Sequence, residues 1–381
     1  MTHRLYLDWN STSPLLPAVR DAMARALDDV PGNASSIHQD GQRARATVER
    51  ARRAVARAID APPQAVVFTG GATEGNNHVL TTHARFTQEP YILCSAVEHP
   101  SVLEVVEELG RRGGVRVDVI PVDRRGRLDM EWLEQRLRAE RVTLVSVMWA
   151  NNETGNVYDT AALAALAHAH GAKMHVDATQ ALGRIPCSFA ACGAEYLTLS
   201  FHKTGGPKGV GAIAVKEGVV LEAMMAGGHQ ERGRRPGTEN VLALTGVLAL
   251  CDEVTKHGTQ WAEDMERGRR LALKVLEREG AEFVVRGDEE ARLPNTLNVA
   301  LDGVGGEDLL VALDLEGLSV SSGSACTAGS LEPSHVIMAM GYEPEDAKRS
   351  VRISLGPTTT PGVVEQAMVR VAQAARKMSA W

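Results

Sequence analysis

Ser200-Phe201-His202-Lys203-Thr204-Gly205-Gly206-Pro207-Lys208-Gly209 is a polar, glycine-rich turn set between two apolar runs, Tyr196 to Leu199 and Val210 to Val215. The flanks read as strands and the turn as the loop that joins them, presenting Lys203 inward. A lysine that is desolvated or set beside other cations gives up its proton more readily and can condense with an aldehyde. Upstream, the strand-like stretch Ala172-Lys173-Met174-His175-Val176 ends in Asp177, and Gln180 follows three positions later. A carboxylate at a strand end can hold a pyridine nitrogen protonated, which makes the ring an electron sink. Lysine and carboxylate together point to pyridoxal phosphate as the aldehyde, although a strand-end aspartate alone is more often a cap or a turn.

Working outward, Val66-Val67-Phe68-Thr69-Gly70-Gly71-Ala72-Thr73-Glu74-Gly75-Asn76-Asn77 runs from a strand through two glycines into a helix start. Free backbone N–H groups and the positive end of a helix dipole converge there, with the Thr73 hydroxyl beside them, and this is a seat for phosphate. The stretch carries neither a Walker lysine nor a G-x-G-x-x-G pattern, which counts against nucleotides. Strand Tyr91 to Ser95 leads to His99 before Pro100, and strand Arg141 to Met148 leads to Asn151. His99 suits ring stacking and proton transfer or a structural role; Asn151 suits a hydrogen bond to a ring oxygen or the end of a strand. Strands and helices alternate from about residue 65 to 215, the pattern of a mainly parallel, doubly wound α/β sheet. Its carboxyl edge would collect Thr73, His99, Asn151, Asp177, Ser200, His202 and Lys203, where open sheets bind ligands.

Beyond the sheet, Pro14 is expected to open a helix that runs to about Val30, and Gly41 to Ile59 reads as a long helix whose arginines, Arg52 among them, form a solvated face. The arginine-rich loop 227–238 suits either a surface loop or a reach to a phosphate across a dimer interface. Two helical stretches, Glu239 to Lys256 and Trp261 to Glu279, follow. The expected division is a large cofactor-binding domain over 16–255 and a small α+β domain made of 1–15 and 256–381. In the latter, Val320-Ser321-Ser322-Gly323-Ser324-Ala325-Cys326-Thr327-Ala328-Gly329-Ser330-Leu331-Glu332-Pro333 surrounds one thiol with small residues, a setting that predicts an exposed, mobile and reactive cysteine. Arg352, in Ser350-Val351-Arg352-Ile353-Ser354, is either a bidentate clamp for a carboxylate or an outward-facing strand residue.

Bulk properties agree with a globular enzyme. The chain has 381 residues, 44% of them hydrophobic, and a net charge of −7, which gives no sign of nucleic-acid binding. No apolar run reaches the ~20 residues of a membrane span. The beginning of the sequence lacks the apolar centre of a signal peptide, so a cytoplasmic protein is expected. Its five cysteines are scattered, which suggests reduced thiols. Cys187, Cys192 and the histidines His168, His170 and His175 lack zinc spacing and are assigned to packing, so no metal is expected.

Gly71-Ala72-Thr73-Glu74, Val176 to Gln180, Ser200 to Lys203 with Gly206-Pro207-Lys208-Gly209, and above all Ser322-Gly323-Ser324-Ala325-Cys326-Thr327 resemble the NifS/IscS-type, group I cysteine desulfurases, which are fold-type I pyridoxal-phosphate enzymes. The resemblance implies that Lys203 carries the cofactor as a Schiff base, that Asp177 pairs with its ring nitrogen, and that Gln180 and Asn151 face its ring oxygen. It also implies that His99 stacks on the ring and that Ala72, Thr73, Ser200 and His202 hold the phosphate, helped by Thr238 from the second subunit of a homodimer. Asn33 and Arg352 would bind the substrate carboxylate. The implied reaction converts L-cysteine to L-alanine with a persulfide on Cys326, passed to an acceptor such as an iron–sulfur scaffold or a tRNA-thiolation enzyme; Lys203 and His99 would carry protons. Thr204-Gly205 replaces a bulkier pair usual after the lysine. Two other readings stay open: a pyridoxal-phosphate selenocysteine lyase or aminotransferase in which Cys326 is incidental, and a non-catalytic partner-binding scaffold.

Overall fold

Strands that are apolar on both faces need cover on both sides, and the chain supplies it by alternating such strands with amphipathic helices. The computed structural model describes residues 4–29, 32–322 and 332–379. Its strands are β1 (Leu5–Tyr6), β2 (Val66–Thr69), β3 (Tyr91–Ser95), β4 (Arg116–Ile120), β5 (Leu144–Met148), β6 (Lys173–Asp177), β7 (Tyr196–Ser200), β8 (Gly211–Val215), β9 (Phe283–Val285), β10 (Thr296–Leu301), β11 (Leu318–Ser319) and β12 (Ser350–Ser354). The helices are α1 (Pro17–Asp29), α2 (Gln39–Ala58), α3 (Ala72–Phe86), α4 (Pro100–Arg112), α5 (Met130–Ala139), α6 (Thr160–Ala169), α7 (Phe189–Cys192), α8 (Val241–Arg278), α9 (Gly306–Leu315), α10 (His335–Ala339), α11 (Pro344–Ala347) and α12 (Pro361–Ser379).

Seven strands form the main sheet in the order β2-β8-β7-β6-β5-β3-β4. All its pairings are parallel except those of β8, which runs antiparallel to both β2 and β7. Interior strands β3, β5, β7 and β8 are buried along their whole length, whereas the edge strand β4 is largely open. A second, antiparallel sheet has the order β12-β10-β9, and β1 pairs in parallel with β11. The architecture is therefore a doubly wound, mainly parallel α/β sheet accompanied by a smaller α+β unit.

Three sequence expectations change. The helix placed at Pro14 starts at Pro17, because the backbone of Ser13 and Leu16 is occupied by hydrogen bonds to the carbonyls of His202 and Gly205 (both 2.9 Å). The two helices expected around residue 258 are one, α8, of 38 residues. Its first half packs in the core of the main sheet through Leu244, Val247 and Cys251, and its second half in the core of the smaller sheet through Met265, Ala272 and Leu276. The domain boundary expected near residue 255 would thus fall inside a continuous helix. Finally, Arg52 is not on a solvated face: it is buried and forks onto Glu231 at 2.7 and 2.8 Å.

Candidate active site

At the carboxyl ends of β5, β6 and β7 the chain turns away from the sheet, and together with the start of α3 these turns enclose a cavity of about 610 Å³. Lys203, Asp177, Gln180, Ser200, His202, His99, Ala72, Thr73 and Arg352 all line it. Lys203 closes the short 3-10 turn Phe201–Lys203 after β7, and its Nζ donates to the carbonyls of Asn10 (3.0 Å) and Ser11 (2.8 Å). The small pair after it has a steric reason. A Cβ on Gly205, whose φ is +94°, would lie 2.4 Å from Leu16 Cγ, while the buried Thr204 hydroxyl donates to the Leu182 carbonyl.

Asp177 ends β6 with both oxygens engaged: the Asn76 amide donates to Oδ2 (2.7 Å) and the Thr179 N–H to Oδ1 (2.9 Å). Asn76 also donates to Ser101 Oγ, which in turn meets His99 Nδ1 at 2.9 Å. Aspartate and histidine are thereby held in one hydrogen-bonded line. Burial pushes the His99 pKa below its ordinary value, with the Asp177 charge opposing, so the ring is neutral at neutral pH. His202 is held lower, at about 4, by burial and then by the nearby charges of Lys203, Lys208 and Arg184.

The start of α3 has the features an anion needs. Its N-cap is Gly71, which offers no side-chain cap, so first-turn N–H groups have no capping side chain and face the cavity edge. Ser200 and His202 approach the same cavity from β7. A phosphate, a lysine amine and a strand-end carboxylate are what pyridoxal phosphate requires, and these residues fit it.

Not every expected residue arrives here. Asn151 is fully buried, and its amide is consumed by its own loop: Oδ1 accepts from the N–H groups of Glu153 and Thr154, and Nδ2 donates to the Val97 carbonyl. Its neighbour Asn152 lines the cavity instead. Asn33 is exposed and accepts from the Ser35 N–H. Thr238 lines a separate cavity of about 210 Å³ beside Arg235 and Glu239. Cys326 lies outside the described residues. The chain on either side of that segment is anchored at the site: the Ser321 and Arg352 backbones pair at 3.1 and 2.6 Å, Ser334 Oγ donates to Glu153, and His335 Nε2 meets the Glu98 carbonyl at 2.9 Å.

Arg352 is 1% exposed and points inward, which settles its orientation. It donates to Asp8 Oδ1 (2.8 Å), Ser11 Oγ (2.6 Å) and the Asn152 carbonyl (3.0 Å). These contacts bring in residues the sequence did not single out. The polar stretch Asp8 to Ser13 meets Arg352, Lys203, Gln180 and His202. Asn76 was inside the glycine-turn motif, and its position one helical turn after Thr73 was the available signal. Among the described residues no group of histidine, cysteine and acidic side chains forms a metal site, and no helix is long and apolar enough to cross a membrane.

A sheet-edge lysine opposite a strand-end carboxylate, beside a helix-start phosphate seat, defines a pyridoxal-phosphate enzyme, and the description of class-V aminotransferases matches residues 5–366. Within that family the chain belongs to the cysteine desulfurases. It is 42% identical over 369 residues to the cysteine desulfurase of Gluconacetobacter diazotrophicus, covering 96% of this chain and 91% of the relative. Cysteine desulfurase IscS 1 of Archaeoglobus fulgidus is 37% identical, with 95% and 97% covered. Among solved structures, a NifS-like protein superposes with a TM-score of 0.89 at 32% identity, covering 97% of this chain and 98% of the other.

Proposed function

We propose that this chain releases the sulfur of L-cysteine to form L-alanine and takes that sulfur as a persulfide on Cys326. The observation that carries this reading is the convergence of Lys203, Asp177 and Arg352 on one cavity, with one flank of the Cys326 segment paired to the Arg352 backbone and the other held to Glu153, next to the cavity-lining Asn152. A solved relative of the same fold, SspA, 27% identical with a TM-score of 0.81, is described in complex with cysteine.

When bound, pyridoxal phosphate supplies an aldehyde for amines and a ring that withdraws electrons from the substrate Cα. Lys203 would hold it covalently. Asp177, fixed by Asn76 and Thr179, would hold a carboxylate to the ring nitrogen. Gly71, Ala72, Thr73, Ser200 and His202 would take the phosphate. Arg352 would clamp the substrate carboxylate, orienting the Cα–H bond toward the Lys203 amine, which takes that proton. The Cys326 thiolate then attacks the substrate sulfur: an S–S bond forms, the Cβ–S bond breaks, and Lys203 or His99 returns protons so that alanine leaves. The persulfide passes to an acceptor protein of iron–sulfur assembly or tRNA thiolation. Thr238, outside its own chain's cavity, would reach the phosphate of a second copy in a homodimer.

The test is to incubate wild type and Cys326→Ala with L-cysteine and a reductant, measuring sulfide and alanine together. Equal release of both by wild type, and a loss of both by about 100-fold or more in the variant, is expected for a cysteine nucleophile. Undiminished alanine from the variant would replace this reading with a lyase that does not use Cys326.

A further inference from the structure

Arg184 is a buried cation that the chemistry above leaves unused. It lies one turn beyond Gln180, is 4% exposed, and spends its donors on neutral oxygens. Nη1 donates to the Gln180 carbonyl (3.2 Å) and to Gln180 Oε1; Nη2 donates to the carbonyls of Lys203 (2.7 Å) and Trp9 (3.5 Å). Burial, with the Arg352 charge adding to it, lowers its pKa to about 9, so it remains charged at neutral pH. A buried charge without a counterion costs several kcal/mol, and such groups concentrate at functional sites.

The contacts say what that charge does. A guanidinium has donors only. Gln180 must therefore turn its oxygen to Arg184 and its NH₂ away. One of those N–H groups reaches the Asn10 carbonyl at 3.1 Å, and the other is left for the cavity that Gln180 lines. The same guanidinium holds the carbonyl of Lys203 itself.

We propose that Arg184 is a positioning residue for the cofactor: through Gln180 it turns an amide donor toward the cavity, and through the Lys203 carbonyl it fixes the lysine that carries the cofactor. This rests on the reading that pyridoxal phosphate is bound to Lys203 with its phenolic oxygen on the Gln180 side. A donor at that oxygen and a buried positive charge behind it both disfavour a proton on the nitrogen that joins Lys203 to the cofactor. Asp177 on β6 favours that proton. Lys208 and Arg352 oppose it, while His99 and His202 are neutral by virtue of their depressed pKa values. Of these groups only His202 responds to a substitution at 184, because the Arg184 charge is the last of the causes that depress its pKa; a His202 that gained a proton would lower the midpoint, so a rise in titration reports Arg184.

The experiment is a pH titration of the visible absorbance of the holoenzyme without substrate, for wild type, Arg184→Met, Arg184→Gln and Arg184→Lys. Far-UV circular dichroism verifies folding. The midpoint is expected to rise by about one pH unit, a tenfold change in proton affinity, in the Met and Gln variants. Arg184→Lys, which keeps the charge, should recover most of that shift. In a Gln180→Ala background the shift caused by Arg184→Met should shrink, because part of it acts through the amide. A folded Met or Gln variant that titrates at the wild-type midpoint overturns the proposal. A wild type without visible absorbance, or one whose absorbance survives Lys203→Ala, overturns the underlying cofactor reading instead.

Discussion

At the scale of single residues, the site is bordered by ionisable groups whose burial decides their charge. Glu98 is fully buried next to His99; its Oε1 accepts from Ser95 Oγ and the Met148 N–H, while Oε2 has no partner among the described residues. Burial, reinforced by the Asp177 charge, raises its pKa from 4.5 to about 8. Between those two values the unfolded chain is ionised at this position and the folded protein still holds the proton. The contribution of Glu98 to stability is therefore full below pH 4.5 and is lost as pH rises toward 8. Glu98→Gln keeps the shape and cannot ionise. Denaturant unfolding at pH 5 and pH 9 should show the free-energy difference moving in the variant's favour by about 2 kcal/mol or more. A pH-independent difference would mean that Glu98 is ionised in the folded protein. His175, buried between Ser146 and Thr198 with a pKa lowered to about 4 by burial, acts with the opposite sign: its contribution is lost as pH falls from 6.5 toward 4.

At the scale of elements, α2 and the loop after β8 are joined by one buried ion pair. Arg52 on α2 meets Glu231 at 2.7 Å, and Glu231 also accepts from the Phe68 N–H of β2 at 2.9 Å. Glu231 and Arg232 both have positive φ, 50° and 60°, a strained backbone that non-glycine residues hold only when their surroundings impose it. Arg52→Met leaves the Glu231 carboxylate buried without its partner, and urea unfolding should show a loss of about 3–5 kcal/mol. A loss under 1 kcal/mol would show that the pair is dispensable. Sequence reading did not find this pair, since arginines repeating along a polar helix carry no mark of which one turns inward. The Lys203 loop and the glycine turn before α3 were legible because their chemistry is local: polar and small residues sit between apolar strands whose order places them at one edge. The length of α8 was not, because the polar, glycine-containing stretch between Lys256 and Trp261 separates two helical patterns. A lone helical glycine costs only ~1 kcal/mol, and Val254 and Trp261 on either side pack on the core.

At the scale of the whole molecule, the seven-stranded sheet and the smaller sheet meet through the segment Asp8 to Ser13. Leu5 and Leu7 before it belong to the core of the smaller sheet, and Leu16 and Val19 after it to the core of the main one. Asn10 is the centre of the joint. It is 1% exposed, donates to the Asn152 carbonyl (3.0 Å) on one side and Thr296 Oγ1 (2.9 Å) on the other, and accepts from Asn295 Nδ2 (3.0 Å). Its carbonyl receives Gln180 and Lys203. These partners lie far apart in sequence, which is why a short polar stretch gave no local sign of its importance. Asn10→Ala would remove three buried hydrogen bonds, each worth about 0.5–1.5 kcal/mol, that tie this segment to both sheets, while Asn152, Asn295 and Thr296 keep their bonds to Arg352, Leu355 and Asn295. Loss there should loosen the smaller sheet relative to the main one. Hydrogen exchange followed by mass spectrometry, on peptides covering β10 and β12 against those covering β5 and β6, measures this directly. Exchange at β10 and β12 is expected to accelerate by about tenfold or more, the equivalent of ~1.4 kcal/mol, with β5 and β6 changing far less. Uniform acceleration across both sheets would mean that they open as one cooperative unit and that Asn10 stabilises the whole molecule rather than the junction between its two cores.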